Sequence, residues 1–370
     1  MKSTTVAAAC GALALVTALA ACSSSAGSAT NPSTNSTGTS TSRTTCSTGT
    51  LDGEGSTAQT NAINAWITGY GKACSGAKVN YNPTGSGQGV SNFTQGLVAF
   101  AGSDAALDPK KGEMAAAQRR CGSAPLDLPM VVGPIALAYK LAGVTKLVLT
   151  PDLVAKIFTG KITKWDDPAI AAKNAGAKLP SSTINVIYRS DSSGTTQNFE
   201  TYLAATDPAD FPAKPAKDNA ATVFKGQGKA KSQGVAAAIS STEGSIGYVE
   251  YSFAVNGSLP TVAIDSGAGP VDVSKDSASA AAADARVIGT GDDLSLQLNY
   301  NTKAAGAYPL ILVTYEIACT KYSSAGIGTF VRNFLTYTAT TGQSALAQLG
   351  YAPLPSSLQT KVVASIAKIS

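Results

Sequence analysis

Two long apolar runs rich in β-forming residues constrain this chain more than any other feature. "PLDLPMVVGPIALAYKLAGV" occupies residues 125–144, broken by Pro129 and Pro134, and "YPLILVTYEIAC" occupies 308–319. A full lobe's worth of sequence lies between them, so the chain is expected to cross from one lobe to a second and return. The first lobe is then discontinuous, built from 47–130 and 310–370, with 131–309 forming the second. Elsewhere strand-like stretches alternate with helix-like stretches of about ten to fifteen residues, which predicts an α/β class in which each lobe is a mainly parallel sheet flanked by helices.

The predicted elements begin with a strand in "GTLDGEGS" and an amphipathic helix in "TAQTNAINAWITGYGKA". "AKVNYNPTG" alternates like a strand, "GVSNFTQGLVAF" reads as a helix, and "FAGSDAAL" as a short apolar run. "INVIYRS" is a strand leading to a helix near Thr195, and "KSQGVAAAISSTEGSIGYVEYSFAV" reads as helix, glycine turn and strand.

The N-terminus speaks to location. Met1-Lys2 precedes the apolar stretch "VAAACGALALVTALAA", the pattern of an export signal and short for a stop-transfer helix. Leu19-Ala20-Ala21-Cys22 resembles the bacterial lipobox, which implies a signal peptide over 1–21, cleavage before Cys22 and lipid on its sulfur. Acyl chains at Cys22 would hold the protein on the bilayer without spanning it. Residues 22–46 are dominated by Ser, Thr, Gly, Ala and Asn and predict a flexible tether. About 325 residues remain, enough for two packed lobes.

Cysteine usage agrees with an oxidising compartment. Without Cys10 in the signal and Cys22 at the lipid site, Cys46, Cys74, Cys121 and Cys319 remain, an even set with three possible connectivities. The favoured pairing is Cys46–Cys74, joining the start of the first strand to the end of the helix after it, and Cys121–Cys319. No CxxC spacing suggests zinc. The chain has no histidine, which removes the commonest metal ligand and the commonest general base. A formal charge of +5 is carried by scattered basic residues. Nucleic-acid binding needs a concentrated basic face, so no nucleic-acid partner is expected.

Four stretches place small residues, hydroxyls and glycine where a strand gives way to a helix: 55–58, 84–89, 102–104 and 189–195. Helix N-termini offer unpaired N–H groups and a partial positive charge, which suit an anion. Each stretch has a plainer reading. Ser56 and Thr57 could cap the first helix, "TGSGQGV" could be an ordinary glycine turn, Asp104 a solvated loop carboxylate, and Arg189 a salt-bridging surface arginine. "TGSGQGV" is neither a dinucleotide fingerprint nor a P-loop. Asp166-Asp167-Pro168 is a good helix start.

Taken together, "GSTAQ", "TGSGQGVSNFTQGLVAFAGSDAAL", "IFTGKITKWDDPAI", "RSDSSGTTQNF" and "GSIGYVEYSFA" occur in an order and spacing that closely resemble the phosphate-binding lipoproteins of bacterial ABC phosphate importers, the PstS family. The resemblance runs from about residue 50 to the C-terminus. It implies a two-lobed periplasmic-binding-protein type II fold joined by two crossover strands, acting as a monomeric receptor without a cofactor or metal that delivers inorganic phosphate to a membrane permease. It also implies roles. Thr57 would offer its hydroxyl and N–H, Ala58 its N–H, and Ser86 a further donor. Asp104 would be the one acceptor and Arg189 the one formal positive charge, oriented by Asp191. Ser193, Gly194 and Thr195 would complete the ring. Ala58 and Ser192 depart from residues common in that family.

A lone carboxylate among donors can accept the proton that phosphate retains and sulfate lacks. A different class of function is a secreted phosphohydrolase with Ser193 or Ser86 as nucleophile. That chemistry needs an activating base or metal, and the four strand-to-helix stretches contain no histidine or lysine to serve as one.

Overall fold

The computed structural model describes residues 44–370; the signal, Cys22 and nearly all of the tether lie outside them. Eight strands build one mixed sheet. We number them β1 (Gly49–Gly55), β2 (Ala77–Pro83), β3 (Phe100–Ser103), β4 (Pro125–Lys140), β5 (Asn185–Arg189), β6 (Gln227–Lys229), β7 (Ser245–Glu250) and β8 (Ile311–Cys319). Their spatial order is β2-β1-β3-β8-β4-β7-β5-β6. The outer triplets, β2-β1-β3 and β7-β5-β6, are parallel within themselves, and the central pairings through β8 and β4 are antiparallel.

The two long apolar runs are β4 and β8, lying side by side. Their prolines mark where β4 changes partner. Pro129 sits at a shift of register in which Thr314 opposes Val131 and Tyr315 opposes Pro129, so the strand bulges and the missing proline N–H breaks no regular ladder. Pro134 ends the pairing with β8, and Ile135–Lys140 then pair with β7 on the other side. The hydrophobic core divides at the same place. Leu126 to Val132 belong to a cluster with Trp66, Phe100 and Phe334, whereas Ile135 to Tyr139 belong to one with Phe158, Phe199 and Tyr248.

Helices follow the predicted order. Helix α1 (Thr60–Ala73) buries Ala62, Ile63, Trp66 and Tyr70 along one face. Those that bear on the site are α2 (Ser86–Thr94), α3 (Glu113–Cys121), α4 (Gly194–Thr206) and α5 (Lys231–Ser241). Two stretches differ from expectation. The helix read through "GVSNFTQGLVAF" stops at Thr94, because Gly96 turns the chain at φ 76° and frees 100–103 to pair as β3. The strand read through "YSFAV" stops at Glu250, whose carboxylate accepts from the Ser252 N–H at 3.1 Å and caps a short helix, α6 (Tyr251–Asn256). Asp167 caps Pro168–Lys173 by accepting from the Ala169 N–H at 2.9 Å. Cys46 is bonded to Cys74 and Cys121 to Cys319, the favoured pairing.

The paired strands also bury acids. Glu316 of β8 is fully enclosed, and neither of its carboxyl oxygens has a hydrogen-bond partner among the described residues. Burial, opposed by the nearby Gln59 amide and reinforced by the Asp104 charge, pushes its pKa up to about 8. Stability that depends on a neutral Glu316 is complete below its ordinary value of 4.5 and is lost as pH rises to and through 8. Glu316→Gln should therefore leave the urea midpoint nearly unchanged at pH 4 and raise it relative to the parent at pH 9. An equal offset at both pH values would show that Glu316 ionises normally.

Candidate functional site

Parallel strands expose their carboxyl ends at a shared edge, where α/β folds hold ligands. Here β1, β2 and β3 reach that edge from one half of the sheet, and β5 and β6 from the other. The chain leaves β1 through Ser56-Thr57-Ala58, β2 through Thr84-Gly85, β3 through Asp104, and β5 through Asp191 to Ser193. The four stretches at 55–58, 84–89, 102–104 and 189–195 converge at this edge, and Thr57, Ala58, Ser86, Asp104, Arg189, Ser193, Gly194 and Thr195 are all buried.

Asp104 is the focus. It is 2 % exposed. Its Oδ1 accepts from the hydroxyls of Ser56 and Thr314, the latter at 2.9 Å, and its Oδ2 accepts from the Thr195 hydroxyl at 3.0 Å. Its own N–H donates to Ser86 Oγ at 3.1 Å, and its carbonyl accepts from Asn198 Nδ2 at 2.6 Å. Thr314 stands at the β4/β8 bulge, where the local distortion re-aims a side chain. Gly194 packs so closely that a Cβ there would lie 2.7 Å from both Asp104 Cβ and Ser86 Oγ.

Arg189 supplies the positive charge, with its side chain 2 % exposed. Its Nε donates to Asp191 Oδ1 at 2.7 Å and its Nη2 to Asp191 Oδ2, a bidentate pair, while Nη1 reaches Ser232 Oγ at 3.4 Å. Burial alone would raise the Asp191 pKa, but the Arg189 guanidinium and the Lys231 N–H outweigh it and hold the carboxyl below the usual range. A guanidinium has five N–H donors, so the planar fork keeps donors beyond those Asp191 and Ser232 engage.

Helix ends complete the surroundings. Ser193 caps α4, its Oγ accepting from the Thr196 N–H at 3.1 Å, so the N–H groups of Gly194 and Thr195 lead the helix with no intrahelical acceptor. Ser56 and Thr57 do not cap α1 in the usual way: its N-cap is Gln59, without a side-chain bond. Ser56 Oγ instead accepts from the Ala58 N–H at 3.1 Å while donating to Asp104, and Thr57 Oγ1 lies 2.8 Å from Ser232 Oγ. The departure at Ser192 is accommodated by a neighbouring glycine, since a Cβ on Gly87 would come within 1.9 Å of Ser192 Oγ.

Ser56, Ser232 and Thr314 were not among the expected site residues. Ser56 adjoins Thr57, and its hydroxyl reads equally as a helix cap from sequence. Ser232 reaches the site because Lys231 adopts a left-handed φ of 64°, turning its N–H to Asp191 at 2.8 Å and the Ser232 N–H to Thr57 Oγ1 at 3.2 Å. A non-glycine at positive φ is invisible in a sequence. Neither expected nucleophile is activated: Ser193 Oγ is a helix cap and Ser86 Oγ accepts from a backbone N–H. Among the described residues no cluster of three or more His, Cys, Asp or Glu could hold a metal.

The family model described as a PBP superfamily domain matches residues 35–341. Phosphate-binding protein PstS2 of Mycobacterium bovis is 42% identical over 327 residues, covering 86% of this chain and 87% of the relative. Phosphate-binding protein PstS of Xylella fastidiosa is 31% identical over 317 residues, covering 85% and 84%. Among solved structures, a high affinity periplasmic phosphate-binding protein (PfluDING) bound with phosphate superposes with a TM-score of 0.70 at 22% identity, covering 85% of this chain and 93% of that one, which supports the fold. With these relatives and that order of strands, the chain belongs to the PstS family of phosphate-binding proteins, within the PBP superfamily.

Proposed function

We propose that this protein binds inorganic phosphate outside the cytoplasmic membrane and delivers it to an ABC-type import permease. One observation carries the reading: a single buried carboxylate, Asp104, lies among donors with one acceptor position still available. A carboxylate has about four lone-pair sites. Ser56, Thr314 and Thr195 engage three of them, which leaves one on Oδ2. That position suits the P–OH of a protonated phosphate. The remaining Arg189 N–H donors, the Thr57 and Ser86 hydroxyls, and the leading N–H groups of α4 suit its other oxygens.

The same acceptor disfavours sulfate. An oxyanion without a proton would set a lone pair against Oδ2 in a dry site, costing on the order of several kcal/mol, or ~10³ in affinity. The relatives are named as binding proteins, and no activated nucleophile supports the phosphohydrolase reading.

The lobes of this reading are 47–130 with 310–370, and 131–309. The division of the core within β4 supports that boundary, and Ala278, Ala281 and Leu294 wrap from the second segment onto the first core. Closure of the lobes on the anion is the motion such an architecture provides. Two disulfides support an oxidising, extracytoplasmic setting. Cleavage before Cys22, acylation of its sulfur and residues 22–46 as a tether would keep a monomeric receptor near its permease with reach to spare. Among the described residues no helix is long and apolar enough to cross a membrane.

Two measurements test this reading. Isothermal titration should show tight one-to-one phosphate binding and at least ~10³-fold weaker sulfate binding, with Asp104→Asn reducing the preference to roughly tenfold; a preference untouched by the substitution would remove Asp104 from the role. Mass spectrometry of detergent-extracted protein should find a diacyl-glyceryl mass on a chain beginning at Cys22, absent from Cys22→Ser. An unmodified N-terminus in the membrane fraction would rule out the anchor.

A further inference from the structure

Of the seven ion pairs among the described residues, only Lys217–Glu113 joins one proposed lobe to the other. Lys217 Nζ donates to Glu113 Oε1 at 3.0 Å and Oε2 at 3.2 Å, with the side chains 4% and 17% exposed. Surface pairs contribute little, but a pair this enclosed is screened weakly by salt, and breaking it leaves a charge without its counterion.

Both partners lead directly into the anion site. Glu113 opens α3, and its Oε2 also accepts from the Asp108 N–H at 2.8 Å, which closes the loop that starts at Asp104. On the other side, the Lys217 carbonyl accepts from the Ser193 N–H at 2.7 Å, and the adjoining Ala216 N–H donates to Glu200 of α4 at 2.9 Å. The lysine thus holds the cap of α4 through its backbone and the Asp104 loop through its side chain.

We propose that Lys217 and Glu113 form a closure-dependent pair outside the ligand shell that sets how long the anion is held. The inference rests on the phosphate reading above. When the lobes part, both charges return to water at no great cost. When they close, the pair forms as Ser193 and Asp104 come to opposite sides of the site. Lys217 is accordingly a positioning residue whose effect falls on release. Encounter with the open form does not involve the pair.

The test is a double-mutant cycle on the full chain with radiolabelled inorganic phosphate, measuring association and dissociation rates. Lys217→Met and Glu113→Gln should each raise the dissociation rate ~10- to 100-fold and leave association within about threefold. The double variant, with no buried charge left unpaired, should be no worse than either single variant. The melting temperature of the phosphate-free variants should stay near that of the parent, which separates this role from one in folding. Additive effects, an unchanged dissociation rate, or equal loss of melting temperature with and without phosphate would each overturn the pair's role. Failure of the parent chain to bind phosphate would instead overturn the functional reading, and the proposal with it.

Discussion

The antiparallel pairing of Pro125–Pro134 with Ile311–Cys319 is the constraint on which the rest of the molecule depends. Each half of the sheet has three parallel strands with helices packed against it, and neither half includes its neighbour except through these two strands. Their bulge aims Thr314 at Asp104, and the handover of β4 at Pro134 divides the core. The apolar character of both runs follows from this position, because strands buried on both faces along their length have no side left for water.

The site has an unusual distribution of charge. Arg189 is neutralised by Asp191 before any ligand is considered, and Asp104 adds a further negative charge nearby. In the proposed site an anion would be held by dipoles: hydroxyls, N–H groups and the leading turn of α4, all oriented in advance by the fold. Such donors cost little to reorganise and act strongly in a low-dielectric site. The one carboxylate interrupts an otherwise uniform shell of donors, and the proposed selectivity rests on that exception.

The buried acids show a second use of the same dielectric. Glu250, Asp127 and Glu316 all have their pKa pushed up to about 8, mainly by burial. Glu250 is held by Ser252 and Asp127 by the Leu107 N–H and the Ser295 hydroxyl. Glu316 has no such partner among the described residues and lies two residues beyond Thr314 on the same strand.

Sequence alone indicated most strands and helices, the two crossings between lobes, an even cysteine set with one pairing favoured, and the loops that carry Thr57, Ser86, Asp104, Arg189 and Ser193. Those features leave local signatures: apolar periodicity, glycine and hydroxyl clusters at strand ends, and an even count of cysteines. Tertiary structure decided the rest. Ser232 enters the site through the left-handed turn at Lys231, Thr314 through a bulge set by register, and Glu113 meets Lys217 across 104 positions of chain. None of these has a local pattern, because each arises from the distance between segments after folding, and that distance is a property of the packed lobes.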